Sequence, residues 1–291
     1  MNENSVCAVV VTFRPDESVL GNLAKVRQQV EGLVVVDNGS SAEALASLRR
    51  QSLQMGFTLI ENGANLGIAT ALNIGARWAQ SHSYNWVALF DQDSTVTDGY
   101  IAAMLDEHSR LSQPETVAIV TPKHVDRKTE QWQAPILDKN GDPHSAITSG
   151  SLMPVQTFDK CGWFEDNLII DLVDDEYCMR IRSQGYRIAY ASGAKLLHVV
   201  GYPQDYSVLG LKFRVFHHNA QRRYYITRNS LVLALRYWKS DPRWSVGVVA
   251  YVLKQAAITL LVDNHRAKNL RYTLQAIADA FAGRLGKLVE L

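Results

Sequence analysis

Cysteine is scarce: the chain has 291 residues and only Cys7, Cys161 and Cys178. An odd, sparse count builds no disulfide framework and fits a reducing compartment. Long apolar runs are missing as well. The run from Val6 to Phe13 is far short of the roughly 20 residues that a spanning helix needs. The opening Met1-Asn2-Glu3-Asn4-Ser5 lacks the basic segment that starts a secretory leader. A cytoplasmic chain is therefore expected. No recognised nucleic-acid motif accompanies the basic residues, so a nucleic-acid partner is not expected. There is no internal repeat or low-complexity segment.

What is present is apolar content of 47%, enough for one large core or one domain with an extension. The net charge of +1 hides a division. Residues 1–211 hold 16 Lys+Arg against 25 Asp+Glu, and residues 212–291 hold 14 against 4.

Apolar runs alternate with helical periodicity through the first 120 residues. Val6 to Thr12, Leu33 to Val36, Phe57 to Ile60 and Trp86 to Phe90 read as strands. Ser18 to Val30, Ala42 to Met55 and Ile68 to Gln80 read as helices. That alternation predicts an α/β fold with a mostly parallel, Rossmann-like sheet flanked by helices. Further on the pattern predicts a strand near Val117 to Val120, a polar loop from Lys123 to Pro143, a helix from Asp174 to Gln184 and a strand from Tyr186 to Tyr190. From Arg214 onward everything reads as helical.

Ligands of such sheets bind beyond the carboxyl ends of the strands, and two acidic motifs stand there. Asp91-Gln92-Asp93 follows the strand Trp86 to Phe90. Carboxylates one residue apart can share a pocket and hold Mg²⁺ or Mn²⁺ together with phosphate oxygens; an acidic surface turn is the plainer alternative. Asp37-Asn38-Gly39-Ser40-Ser41 follows the second strand, where it can cap the next helix or hydrogen-bond a ribose. Small residues from Asn62 to Gly67 precede a helix N-terminus and suit a close-lying nucleotide. Asp171, Asp174, Asp175 and Glu176 crowd a third helix start. They favour the helix dipole, and crowding also suits a carboxylate to general-base work. Arg180 stands four residues after Glu176 and can pair with it. His198 is either a satisfied core histidine or a metal ligand.

Taken in order, these motifs resemble glycosyltransferase family 2 with its GT-A fold, over about residues 6–230. Phe90-Asp91-Gln92-Asp93-Ser94, Ile170 to Tyr177, and Arg222-Arg223-Tyr224-Tyr225-Ile226-Thr227-Arg228-Asn229 are most similar to the L-rhamnosyltransferases. The resemblance implies a role for each position. Thr12 and Asp37 would contact the nucleoside, with Asn65 and Gly67 lining that pocket. Asp91 would hold the ribose and a metal-bound water, and Asp93 and His198 the Mg²⁺ or Mn²⁺. Ser149 and Gly150 would flank the donor sugar, Arg223 and Arg228 would cover the pyrophosphate or present the acceptor, and Asp174 would be the catalytic base. Asp175 and Glu176 stay open as bases, because the wider family has Glu-Asp where this chain has Val173-Asp174.

The implied activity is inverting transfer of a sugar, L-rhamnose from dTDP-L-rhamnose, to a saccharide or lipid-linked acceptor in cell-surface glycan, lipopolysaccharide or glycolipid synthesis. Alternatives are a UDP-hexose donor or a non-catalytic nucleotide-sugar-binding scaffold of the same fold. A nucleotidyltransferase is disfavoured, because the first loop, Thr12-Phe13-Arg14-Pro15-Asp16, lacks glycine.

The expected domains are residues 1–230, catalytic (1–120 nucleotide-binding, 121–230 acceptor side), and 231–291, a basic amphipathic helical extension. In the latter, Val246, Val249, Leu253, Ala256, Ala257, Leu260 and Leu261 share a face, with Arg236, Lys239, Arg243, Arg266, Lys268 and Arg271 nearby. Such a helix can pack on the domain, on a second subunit as a homodimer, or on the inner face of the cytoplasmic membrane.

Overall fold

The computed structural model describes residues 4–132, 134–198, 203–208, 211–216, 219–262 and 266–288; for 203–208, 211–216 and 259–262 it describes the backbone alone. The chain divides into two compact units, Met1–Asp166 with Val173–Val199, and Asn167–Leu172 with Val200–Leu291.

The first unit is an α/β layer structure. Its strands are β1 (Val6–Thr12), β2 (Gly32–Asp37), β3 (Thr58–Glu61), β4 (Trp86–Asp91), β5 (Thr95–Val96), β6 (Val117–Asp126), β7 (Leu152–Pro154) and β8 (Arg187–His198). Its helices are α1 (Ser18–Arg27), α2 (Ala42–Met55), α3 (Ile68–Ser81), α4 (Tyr100–Arg110), α5 (Gln156–Cys161) and α6 (Val173–Ser183). The eight strands form one sheet in the order β3-β2-β1-β4-β7-β6-β8-β5. The first four run parallel, and β7 and β5 enter antiparallel.

Every residue of β1 and β2 is buried, as a strand covered on both faces must be. Each fully buried Val or Leu contributes roughly 1.5–3 kcal/mol, so this centre anchors the unit. Close packing of α3 depends on Gly75, where an added Cβ would lie 2.2 Å from Val9 Cγ1. Ser41 caps α2 by accepting from Ala44 N at 3.3 Å, and Gly56 ends it in the left-handed region.

Two strands are longer than their patterns suggest. β6 runs on to Asp126, into the segment expected to be loop, and β8 runs to His198, with an irregularity in their pairing between Pro122 and Lys123.

The second unit contains the antiparallel hairpin β9 (Pro203–Val208) and β10 (Leu211–Phe216). It continues with α7 (Ala220–Tyr237), α8 (Pro242–Val262) and α9 (Arg266–Phe281). The expectation of helix from Arg214 onward is corrected here, since helix begins at Ala220. Leu211, Phe213 and Val215 alternate with Lys212 and Arg214, a period of two that suits a strand. Leu233, Ala234, Ala276 and Ala280 are buried within the helical part, and Tyr224 OH donates to Asp279 Oδ2 at 2.7 Å. Among the described residues no helix is long and apolar enough to cross a membrane. The side chains of Leu260 and Leu261 lie outside the described residues.

Candidate active site

Strand register sets the site. Thr12 pairs with Asp37 across β1 and β2, and Val11 with Asp91 across β1 and β4. Three chain ends therefore leave the sheet side by side.

At the first of these, Asp37 is fully buried. Its Oδ1 accepts from Thr12 Oγ1 at 3.1 Å, and its Oδ2 accepts from Gly39 N at 3.1 Å and Ser40 N at 2.8 Å. Ser40 Oγ donates to it as well. Asn38 ties this loop to the next: its Nδ2 donates to Asn65 Oδ1 and to the Gly67 carbonyl, both at 3.1 Å, and its Oδ1 accepts from Leu66 N at 2.9 Å. Gly39, at φ 92°, lets the loops touch, since a Cβ there would sit 2.6 Å from the Ala64 carbonyl carbon. Thr12, Asp37, Asn65 and Gly67 are thus brought together. Thr12 and Asp37 are buried and bonded to one another.

The second cluster forms around Asp91-Gln92-Asp93. Asp91 N donates to Ser149 Oγ at 3.0 Å, and Ser149 Oγ lies 2.8 Å from Ser94 Oγ. Gly150 N donates to the Leu89 carbonyl at 2.6 Å. Gly150 has φ +87°, and a Cβ there would meet Leu196, Tyr100 OH and Pro122 at 2.7–2.9 Å. Gln92 bridges to the first cluster: its Oε1 accepts from Phe13 N at 2.8 Å, and Asn22 Nδ2 donates to its carbonyl at 2.9 Å.

His198 reaches this turn through register. β5 pairs antiparallel with β8, Thr95 opposite Leu197, which sets His198 beside the residues just before Thr95. His198 Nδ1 is buried, has no hydrogen-bond partner among the described residues and lies 4.0 Å from Asp93 Oδ1. Divalent metals bind oxygen and nitrogen ligands at about 2.0–2.2 Å, so a cation fits between these two atoms and would satisfy both. Among the described residues no group of three or more His, Cys, Asp or Glu could hold a metal. Two protein ligands suit a hard cation that takes its remaining ligands from substrate phosphates and water.

Two supporting residues escape sequence reasoning. Arg127 Nη2 donates to the Asp93 carbonyl at 3.2 Å and also to Thr95 Oγ1, which fixes the turn. His124 Nε2 donates to the Ser149 carbonyl at 3.0 Å. Burial holds its pKa below the ordinary histidine value, and His198 nearby adds to this while the Ser149 bond opposes it. A basic residue in a segment read as polar loop carries no local signal for either role.

Asp174 is the second residue of α6, and its Oδ1 accepts from Asp175 N at 3.0 Å. Glu176 is buried and gripped by Arg180, with Nη2 to Oε2 at 2.7 Å and Nε to Oε1 at 3.0 Å. Arg180 also donates to the Trp163 carbonyl at 2.8 Å. The Glu176 carboxylate is thus held in a buried ion pair. Burial raises the pKa of Asp175, against a smaller opposing pull from His144.

Arg223 and Arg228 belong to the second unit, and Arg228 lies in its interior. It is 1% exposed. Its Nη1 donates to the Gly286 carbonyl at 2.6 Å, Nη2 to those of Asn167 and Leu168 at 3.1 and 3.3 Å, and Nε to Asn229 Oδ1 at 3.0 Å. Its guanidinium is spent on the protein. Arg223 is buried on α7. Arg222 is more exposed and forks onto Asp171, Nη2 to Oδ1 at 2.9 Å and Nε to Oδ2 at 3.1 Å.

Known proteins resemble this chain in family and fold. The family described as Glycosyl transferase family 2 matches residues 7–162. The dTDP-rhamnosyl transferase RfbF of Shigella flexneri is 27% identical over 305 residues, covering 98% of each chain. Among solved structures, S. aureus TarS 1–349 in complex with UDP-GlcNAc superposes with a TM-score of 0.55 at 13% identity, over 96% of this chain and 92% of that one. Mannosyltransferase PcManGT from Pyrobaculum calidifontis, in complex with GDP-Man and Mn²⁺, gives 0.56 at 16% identity, over 96% and 87%. These structural neighbours share the GT-A fold.

Proposed function

Since the chain belongs to glycosyl transferase family 2, we propose that it is a metal-dependent, inverting rhamnosyltransferase that uses dTDP-L-rhamnose. The observation that carries the metal reading is the buried, unpartnered Nδ1 of His198 facing Asp93 Oδ1 across 4.0 Å. The rhamnose reading is supported by a relative that is named a dTDP-rhamnosyl transferase and matches nearly end to end.

In this reading Asp93 and His198 would hold Mg²⁺ or Mn²⁺, and the ion would supply positive charge to stabilise the leaving pyrophosphate. The loops built on Thr12, Asp37, Asn65 and Gly67 form the nucleoside pocket. Asp91 reaches the ribose, and Ser149 and Gly150 flank the sugar. Arg223 remains a candidate for the phosphates. Asp174 accepts the proton of an acceptor hydroxyl while that oxygen attacks the anomeric carbon from the face opposite the leaving group. A β-linked donor then yields an α-rhamnoside.

The acceptor is a saccharide or lipid-linked saccharide of the cell surface. Peripheral membrane contact through the C-terminal helices accords with exposed Trp238, Val246 and Leu253 among basic residues. Liposomes with anionic lipid should float the full chain and leave behind a form ending near Tyr237; equal flotation sinks the membrane contact.

A donor panel tests the central reading. Calorimetry would compare dTDP-rhamnose, UDP-glucose, UDP-N-acetylglucosamine and GDP-mannose, each with and without Mn²⁺. Metal-dependent binding of dTDP-rhamnose should be lost in Asp93→Ala and kept in Asp174→Asn. Preference for another nucleotide sugar would discard rhamnose.

A further inference from the structure

Immediately before α6 the chain enters the second unit for six residues, Asn167–Leu172. Within them Ile169, Asp171 and Leu172 have φ of 68°, 62° and 63°. None is glycine. L-residues avoid this region, a β-branched one most of all, and they stay there only where their surroundings over-determine it.

The determinant is on α7. Asn229 is 0% exposed. Its Nδ2 donates to the carbonyls of Leu168, Ile170 and Asp171, each at 3.0 Å. A carboxamide has two hydrogens, so these three carbonyls converge on one group only because the left-handed residues turn the chain around it. Arg228 fixes the sense of that amide: its Nε donates to Asn229 Oδ1, while its Nη2 holds the carbonyls of Asn167 and Leu168. Arg222 grips the Asp171 carboxylate from the exposed side.

The last residue of this strained segment, Leu172, is bonded to Val173, the first residue of α6, and Asp174 follows. We propose that Asn229, oriented by Arg228, is a positioning residue: it sets the backbone entering α6 and so the place and surroundings of the Asp174 carboxylate. This rests on the reading of Asp174 as the base.

The test measures dTDP release from dTDP-rhamnose with Mn²⁺, as kcat and KM against pH, alongside calorimetric donor binding. Asn229→Ala should lower kcat by about 30–100-fold, the scale of a small misplacement of a catalytic group. Donor Kd should stay within about twofold, and the acid limb of the pH profile should shift. Leu233→Ala, a buried change on the same helix, controls for lost stability and should leave kcat within about twofold. Adding Ile169→Gly to Asn229→Ala should restore part of kcat, because glycine holds the left-handed turn without the clamp.

Should Asn229→Ala fail to fold, Arg222→Ala acts on the same segment from its exposed side and should cost about three- to fivefold in kcat with KM unmoved. Losses that merely track melting temperature, or an unmoved pH limb, would overturn the positioning role. Asp174→Asn separates the two ideas. If it is active, the base reading falls and the positioning role with it; if it is dead while Asn229→Ala behaves like Leu233→Ala, the positioning role alone falls.

Discussion

Asp37 closes β2 and Asp93 lies two residues beyond β4, at the same edge of one sheet, and both follow apolar strands. Asp37 is fully buried, and its two oxygens receive bonds from Thr12, Gly39 and Ser40. The Asp93 side chain is 52% exposed and faces an unpartnered imidazole nitrogen. A carboxylate with its acceptor capacity filled holds backbone in place, whereas one left open beside a second unsatisfied ligand can take a cation. Saturation of the oxygens, more than position after a strand, separates scaffold from site.

Two substitutions should split stability from activity along that line. Asp93→Ala removes a half-exposed side chain and should change stability by no more than about 0.5 kcal/mol, yet cut transfer by about 10²–10³-fold. Asp37→Ala strands the half-buried N–H groups of Gly39 and Ser40 and two hydroxyls, at up to about 1–3 kcal/mol for each group left unsatisfied. It should lower the melting temperature steeply, and its activity loss should follow unfolding. Urea melts beside activity assays decide this; a stable, inactive Asp37→Ala would erase the contrast. Gly150→Ala falls between them. Its Cβ meets Leu196, Tyr100 and Pro122 at 2.7–2.9 Å at φ +87°, a strain of about 2–4 kcal/mol. The shift should reach Asp91 through Ser149 and weaken donor binding. Unaltered binding would show that Ser149 does not support the turn.

Much of this was legible in the residues. The apolar runs of β1 and β2 and the capped α2 announce themselves, and so does Asp91-Gln92-Asp93 after a buried strand. The closeness of Asp93 and His198 was not legible, because it depends on the antiparallel pairing of the two-residue strand β5 with β8, and two residues carry no periodicity. Arg228 misled for a related reason. A basic residue in a tyrosine- and arginine-rich helix reads as a surface cation, while the carbonyls that bury it lie about sixty residues away, at Asn167 and Leu168. The β9–β10 hairpin was hidden by Lys212 and Arg214, which mask an alternation that is plain once charge is set aside.

The smallest effect belongs to Asp175, next to the proposed base. Burial raises its folded-state pKa above 3.8, with His144 pulling the other way. Below the unfolded value both states are protonated and the residue costs nothing. As pH rises from there through the folded value, unfolding releases the proton, so stability falls, and the cost is complete once the folded group has ionised. Asp175→Asn removes that cost. The variant should melt above wild type at neutral pH, with the gap narrowing toward pH 4 as the wild-type carboxyl regains its proton. Melting curves from pH 4 to 8 measure this. Parallel curves would mean that Asp175, like Asp93 and unlike Asp37, keeps its charge in contact with water, which would make it a second base candidate beside Asp174.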